Sequence, residues 1–207
     1  MARTYSVITD LGSTAPAFDL PTANPGADGR DGDRRALRDF DDATVLVVVF
    51  TCNHCPYALH VEDSLITLAR EYRGHGVEFV AISSNDPGQY PEDSFESMVE
   101  RARHKKYPFP YLFDESQEVA KAYGAVCTPD PFVFDARRKL AYHGRVDSTR
   151  PGMGESDGSE LRAALDELLA SGVVTQEQHL SMGCNIKWKP GNAPLVSAGI
   201  VPSEATR

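Results

Sequence analysis

The stretch VVVFTCNHCPYALHVEDSL, residues 47–65, contains the pattern that decides the fold. It begins inside a continuous apolar and β-branched run, residues 44–50, which is typical of a strand buried on both faces. From Tyr57 onward, apolar residues recur at helical spacing with charged residues between them, which predicts a helix with one buried stripe. Cys52 and Cys55 therefore lie at a predicted strand-to-helix turn.

The segments after this turn alternate between strand and helix patterns. They predict a strand at 77–84, a helix at 94–106, a short strand at 110–114, a helical segment at 115–124, a hairpin of 131–135 with 139–147, and a helix at 159–172. A βαβ half followed by a ββα half predicts the α/β class. We expect one domain over residues 1–172, including an N-terminal extension, and a C-terminal tail, residues 173–207, that packs on it.

Composition argues against some classes of partner. The chain of 207 residues has a net charge of -9, which disfavours a nucleic acid or an anionic membrane surface as the main partner. No apolar run approaches the roughly 18 residues of a membrane span, and the start lacks a basic region followed by an apolar stretch. We therefore expect a cytoplasmic protein, monomeric or homodimeric, that acts on small molecules or other proteins.

The two thiols of this turn have the spacing of a redox pair. A position before a helix exposes their sulfurs to backbone N–H groups and to the positive end of the helix dipole, which favours a thiolate. Three-residue spacing on an opening helical turn also brings the sulfurs within disulfide reach. We expect the pKa of Cys52 to be lowered, as is documented for Cys-x-x-Cys motifs. His54 is expected to stabilise this thiolate further and so to raise the reduction potential.

Two other interpretations of the cysteines stay open: a pair of buried core side chains, and half of a zinc site. Zinc needs two more ligands, but Cys127 and Cys184 stand singly, without a second Cys-x-x-Cys or a histidine pair at finger spacing. We therefore expect no metal and no cofactor. The solitary histidines, including His60 and His143, are expected on the surface.

Two motifs resemble the thioredoxin superfamily: CNHC, residues 52–55, at the strand-to-helix turn, and TPDPFVF, residues 128–134, leading into a strand. The resemblance implies a thioredoxin fold, which is a three-layer α/β/α arrangement around a central mixed sheet. It also implies that Pro129 is a cis-proline and that the backbone of Thr128 faces the dithiol.

Three further segments resemble the peroxiredoxin branch, the AhpC/TSA group. They are APAFDLP at 15–21, DFDDATVLVVVF at 39–50 and GCNIKWKPGN at 183–192. By this resemblance Cys55, with Pro56 behind it, takes the peroxidatic position and Cys184 the resolving one. The chain departs from that group where Cys52 replaces its threonine and where Thr-Pro occupies the loop of its arginine. It is most similar to peroxiredoxin-like proteins that carry a Cys-x-x-Cys motif.

Together these features predict a thiol–disulfide oxidoreductase. Cys52 is expected to attack a substrate disulfide, Cys55 to resolve the mixed disulfide, and an unknown thiol reductant to regenerate the pair. The expected partners are a disulfide-bearing protein or a small thiol or peroxide substrate. The alternatives are a thiol peroxidase with Cys55 as the peroxidatic thiol, and a non-enzymatic, zinc-stabilised adaptor module. Cys127 is expected either beside the dithiol or closing a loop. Cys184 is expected to be structural, because bringing it to Cys55 closes a long loop whereas Cys52 is one turn away.

Overall fold

The computed structural model describes residues 3–7 and 9–194. The strands are β1 (Arg3–Tyr5), β2 (Asp19–Pro21), β3 (Arg34–Ala36), β4 (Val45–Phe50), β5 (Val77–Ser83), β6 (Tyr111–Phe113), β7 (Cys127–Thr128), β8 (Asp130–Phe134), β9 (Leu140–His143) and β10 (Met182–Asn185). The α-helices are α1 (Pro56–Tyr72), α2 (Phe95–Lys105), α3 (Glu118–Tyr123) and α4 (Ser159–Ser171). The strands and helices predicted between residues 44 and 172 are therefore present, with ends that differ by a few residues.

A five-stranded mixed sheet lies at the centre, in the order β6-β5-β4-β8-β9. Strand β4 pairs in parallel with β5 and antiparallel with β8, so it occupies the middle of the sheet. Its side chains alternate between two cores, with Val45, Val47 and Val49 on one face and Leu46, Val48 and Phe50 on the other. This two-sided burial explains why its sequence is a continuous apolar run.

Helices cover both faces of the sheet. Helices α1, α2 and α4 contribute their apolar residues to the core that contains Val47, whereas α3 contributes Val119, Ala120 and Tyr123 to the core that contains Val48. The result is the three-layer α/β/α arrangement that the sequence predicted. None of the helices in the described part of the chain is long and apolar enough to cross a membrane.

The C-terminal tail contains a strand that the sequence did not predict. Strand β10 lies between β1 and β7 in a second, antiparallel sheet, where Cys184 is opposite Thr128. Gly183 makes this approach possible, because a Cβ atom there would lie 1.9 Å from the Thr128 carbonyl oxygen. The tail therefore packs on the domain through the loop before Pro129, as far as residue 194; the rest of the predicted tail, 195–207, lies outside the described residues.

Candidate active site

The two motif cysteines lie at the carboxyl end of the central strand. Cys52 follows β4 by two residues, and Cys55 is the residue before α1, with an extended backbone conformation. Pro56 is the first residue of α1, a position at which proline needs no N–H partner and already has a helical φ. The Cys55 carbonyl accepts a hydrogen bond from the N–H of Leu59 at 2.9 Å, which closes the first turn. The sequence therefore determines this turn locally.

The loop before β8 lies directly against both sulfurs. The Thr128–Pro129 peptide bond is cis, as the resemblance implied. Thr128 Oγ1 lies 3.3 Å from Cys52 Sγ, and the Thr128 carbonyl oxygen lies 3.3 Å from Cys55 Sγ. One residue of the loop thus contacts both members of the dithiol.

Cys184 belongs to the same cluster. Cys52, Cys55 and Cys184 are 3%, 0% and 3% exposed, and they pack together with Ala58. All four cysteines of the chain are thiols in this structure. Pairing of β10 with β7 docks Cys184 beside Cys55 in the folded chain, and the expectation that it has a structural role stays a prediction. The entropy cost of closing the loop between Cys55 and Cys184 therefore belongs to folding and not to the redox reaction.

Hydrogen-bond donors converge on the sulfur of Cys55. They lower its pKa to about 5, with the largest effect from the side chain of Cys52. Burial opposes this effect, and the S–H of Cys184 and the backbone N–H groups of Ala58 and Cys184 reinforce it. The Thr128 carbonyl also opposes ionisation, because it can accept a hydrogen bond from Cys55 only while that thiol is protonated. The donors nevertheless lower the pKa of Cys55 below that of an ordinary thiol.

The predicted lowering of the Cys52 pKa is wrong. Burial raises the pKa of Cys52 well above its ordinary value, and its hydrogen bond to Cys55 and the negative charge of Asp93 act in the same direction. The Thr128 side chain lowers it, but to a smaller extent. The lower pKa of the pair therefore belongs to Cys55 and not to Cys52.

His54 does not contact Cys52 in the expected way. Its Nδ1 atom lies 2.5 Å from a carboxylate oxygen of Asp93, and its ring stacks on Tyr90 with centroids 4.2 Å apart. Asp93 is fully buried and also accepts hydrogen bonds at 2.7 Å from the backbone N–H of Asn53 and from the side-chain amide of Asn85. No motif in the sequence marks Asp93, which comes from the loop after β5 and reaches the dithiol only through folding.

Cys52, His54 and Asp93 present a sulfur, a ring nitrogen and a carboxylate oxygen that all lie within 4.8 Å of one another. These are ligand types that zinc accepts. In this structure, however, the Asp93 carboxylate is occupied by three hydrogen bonds, one of them from the His54 ring. The arrangement is that of a hydrogen-bonded acid–base cluster.

The remaining predicted residues lie around this cluster. Cys127 is fully buried in β7, opposite Asn185, and burial raises its pKa well above the ordinary value. His143 is not on the surface, because its Nε2 atom lies 3.0 Å from Asp130 inside the protein and its ring stacks on Phe132. His60 is half-buried, with its Nε2 atom 2.8 Å from the Thr149 hydroxyl.

An open cleft lies near the dithiol, with Tyr57 and Pro129 among its lining residues. Tyr57 packs against the cysteine cluster, and Pro129 directly follows Thr128, which contacts both sulfurs. Its wall also includes His60, Arg145 and Arg150. The cysteines near this cleft are themselves almost fully buried.

Comparison with known proteins agrees with this geometry. The model of the AhpC/TSA family matches residues 11–143. A search of curated proteins finds no match. Among solved structures, an uncharacterized conserved protein from Geobacillus kaustophilus has a TM-score of 0.85 and 47% sequence identity, over 92% of this chain and 98% of that one.

Two more distant structures carry functional descriptions of their own. A putative thiol:disulfide interchange protein DsbE from Chlorobium tepidum has a TM-score of 0.58 and 19% identity, over 77% of this chain and 98% of that one. Peroxidoxin BcpB from Mycobacterium tuberculosis has a TM-score of 0.53 and 21% identity, over 77% and 94%. At such identities the likeness shows the fold alone, and the predicted thioredoxin fold is confirmed.

Proposed function

The chain belongs to the AhpC/TSA family, and from this premise we propose that it is a thiol–disulfide oxidoreductase with Cys52 and Cys55 as its redox couple. The observation that carries the proposal is the contact of both sulfurs with Thr128, beside a cleft that reaches Pro129. A pair of merely structural cysteines needs neither the cleft nor the donors at Cys55.

From the pKa directions of the two thiols we infer roles opposite to those expected from the motif. The Cys55 thiolate attacks one sulfur of a substrate disulfide, a bond forms between Cys55 and that sulfur, and the other half leaves as a thiolate. Cys52 then attacks Cys55, which forms the Cys52–Cys55 bridge and releases the second substrate thiol. Two electrons pass from the dithiol to the substrate. An external thiol reductant reverses these steps and regenerates the protein.

A redox titration of the purified full-length protein tests this function. In a series of thiol–disulfide buffers, we expect the Cys52 and Cys55 thiols to disappear together as one two-electron couple, measured by alkylation and peptide mapping. Cys127→Ala should titrate as the unaltered protein does, because Cys127 lies in β7 with a protonated thiol. Cys55→Ser should abolish the couple. If both motif thiols stay alkylatable while another pair becomes bridged, the proposed function is wrong.

A thiol peroxidase is the second candidate, and one observation favours it. Cys55 is fully buried and ionised, so a small peroxide reaches it more readily than a folded protein substrate does. The objection to a peroxidase is that the family's threonine and arginine are replaced in this chain. These two residues would stabilise the departing oxygen in the transition state. We expect the reaction with hydrogen peroxide to be far slower than the diffusional ceiling of about 10⁸ M⁻¹s⁻¹. Stopped-flow measurement of Cys55 oxidation near that ceiling would favour the peroxidase.

A further inference from the structure

Cys52 must lose a proton before it can resolve a disulfide at Cys55, because the thiolate and not the thiol is the nucleophile. It is only 3% exposed, so bulk hydroxide and buffer bases have little access to it. Once Cys55 is bound to a substrate sulfur, the hydrogen bond from Cys52 to the Cys55 thiolate is lost as well. A base inside the protein would remove this obstacle.

His54 and Asp93 have the positions of such a base. The Asp93 carboxylate holds the His54 ring by Nδ1 at 2.5 Å, and Tyr90 stacks against the ring and fixes its plane. This leaves Nε2 as the nitrogen that can accept a proton, and Nε2 is buried without a hydrogen-bond partner among the described residues. A ring nitrogen of His54 and an oxygen of Asp93 lie within 4.8 Å of Cys52 Sγ. A single water molecule can bridge a distance of this size.

The surroundings keep this pair in place and isolated. Asn53 and Asn85 each donate to the Asp93 carboxylate at 2.7 Å, so its orientation does not depend on the histidine. Asp93 is completely buried, and the side chain of His54 is 7% exposed. The other titratable groups nearby are Cys55, Tyr111, whose hydroxyl donates to Asn53, and Lys187, whose ammonium lies 5.2 Å from the Tyr90 ring centroid.

We propose that His54 and Asp93 form a proton-transfer pair for Cys52, in which His54 takes the thiol proton and Asp93 positions the ring. This inference rests on the proposed function and assigns Cys52 as the resolving thiol. The same Asp–His order, a buried carboxylate that orients an imidazole next to a nucleophile, activates nucleophiles in unrelated hydrolases. Here the nucleophile attacks a disulfide and not a carbonyl.

The step balances within the site. The proton of Cys52 passes to His54 Nε2, and the imidazolium is stabilised by Asp93. The Cys52 thiolate attacks Cys55 Sγ, the bond between Cys55 and the substrate sulfur breaks, and its electron pair leaves with the substrate thiolate. The imidazolium then returns its proton to that thiolate or to solvent. The products are the Cys52–Cys55 bridge and a substrate thiol.

A disulfide that releases a coloured aryl thiolate separates the two chemical steps. Mixing it with the reduced full-length protein should give a first release when Cys55 attacks and a second release when Cys52 resolves. Quenched samples analysed by mass spectrometry identify the mixed disulfide at Cys55 and the final bridge. In the unaltered protein, failure to form a Cys52–Cys55 bridge at all would overturn the proposed function itself.

The variants His54→Gln and Asp93→Asn test the proton transfer. General bases contribute about 10²–10⁴-fold to rates, so we expect the second release to slow by about 100-fold at neutral pH while the first release changes little. In both variants the second release should then rise about tenfold per pH unit, because only the intrinsically ionised fraction of Cys52 reacts. It should approach the rate of the unaltered protein in strong alkali. A simple loss of structure would not produce this pH profile.

His143→Gln is the matched control, because His143 and Asp130 form a second buried histidine–carboxylate pair that is not part of the dithiol site. It should destabilise the fold to a similar extent, measured by urea unfolding, without slowing the second release. The inference is overturned if the bridge forms normally and the second release is equally fast in His54→Gln, or if His143→Gln slows it equally. It is also overturned if the first release alone is slowed, since Cys52 would then be the attacking thiol, or if the purified protein holds a stoichiometric metal ion on Cys52 and His54.

Discussion

The side chain of Cys184 should set the acidity of Cys55 and thereby the redox potential of the dithiol. Burial, followed by the hydrogen bond with Cys55, raises the pKa of Cys184 to about 12, so its S–H remains a donor across the physiological range. Cys184→Ala removes this donor but keeps the backbone N–H of residue 184, which acts on the same sulfur. Cys184→Ser keeps a hydroxyl donor in the same place and is the matched control.

The expected size follows from the strength of one charge-assisted hydrogen bond. Such bonds contribute about 1.5–3 kcal/mol, and a thiol is a weak donor, so the lower end of this range applies. Because about 1.4 kcal/mol corresponds to a pKa change of one, Cys184→Ala should raise the pKa of Cys55 from about 5 to about 6. The same free energy makes the Cys52–Cys55 bridge less oxidising by about 30 mV. Cys184→Ser should change both quantities much less.

Two assays measure this effect. The pH dependence of alkylation at Cys55, followed by peptide mapping, gives the pKa, and equilibration with a thiol–disulfide buffer gives the potential. The reasoning is refuted if the alanine variant keeps the pKa of the unaltered protein, or if the serine and alanine variants shift it equally. A Cys55–Cys184 bridge as the main oxidised species would instead show that Cys184 is a resolving thiol.

Three other predictions concern the sheet, the pH dependence and the remaining thiol. Gly183→Ala should lower the free energy of unfolding in urea by at least about 1–3 kcal/mol, because its Cβ would collide with the Thr128 carbonyl. Gly74→Ala is the control and should not lower it, because the new Cβ meets no atom within 4 Å. Equal losses of stability in the two variants would contradict the packing of β10. Relative to Cys55→Ser, the reduced protein should gain stability as the pH rises from about 5 to 9.0, because over that range the unfolded Cys55 holds a proton that the folded one has lost. This contribution to stability is complete above the pKa of Cys55 in the unfolded chain, and it is lost as the pH falls through the pKa of Cys55 in the folded protein. A difference in stability between the two proteins that stays constant with pH would argue against a Cys55 thiolate in the folded protein. Cys127→Ala should leave the redox potential unchanged, since burial keeps this thiol protonated, and a shift as large as that of Cys184→Ala would place Cys127 in the redox site.

Local patterns in the sequence were sufficient to predict the strands of the central sheet and the position of the dithiol, whereas the arrangement of these strands was implied by the family resemblance. Strand β4 can be predicted because burial of both faces gives a continuous apolar run, and α1 can be predicted because burial of one face gives an apolar stripe. The position of Cys52 and Cys55 follows from these two elements, because a turn between a buried strand and a helix places the thiols at the helix N-terminus. This placement does not depend on distant segments of the chain. Helix and strand periodicity arise from neighbouring residues, so a single sequence is enough to reveal them.

The ionisation state of the site was decided only by the tertiary structure. The sequence identified the two thiols but assigned the charge to Cys52, because the groups that determine it come from distant segments: Asp93 after β5, Thr128 before Pro129 and Cys184 in β10. Strand β10 was missed because its short, glycine-containing sequence is stabilised by pairing with β1 and β7 and not by a pattern of its own. The pKa of a buried thiol depends on desolvation and on the donors aimed at it, and both depend on which segments the folded chain brings together.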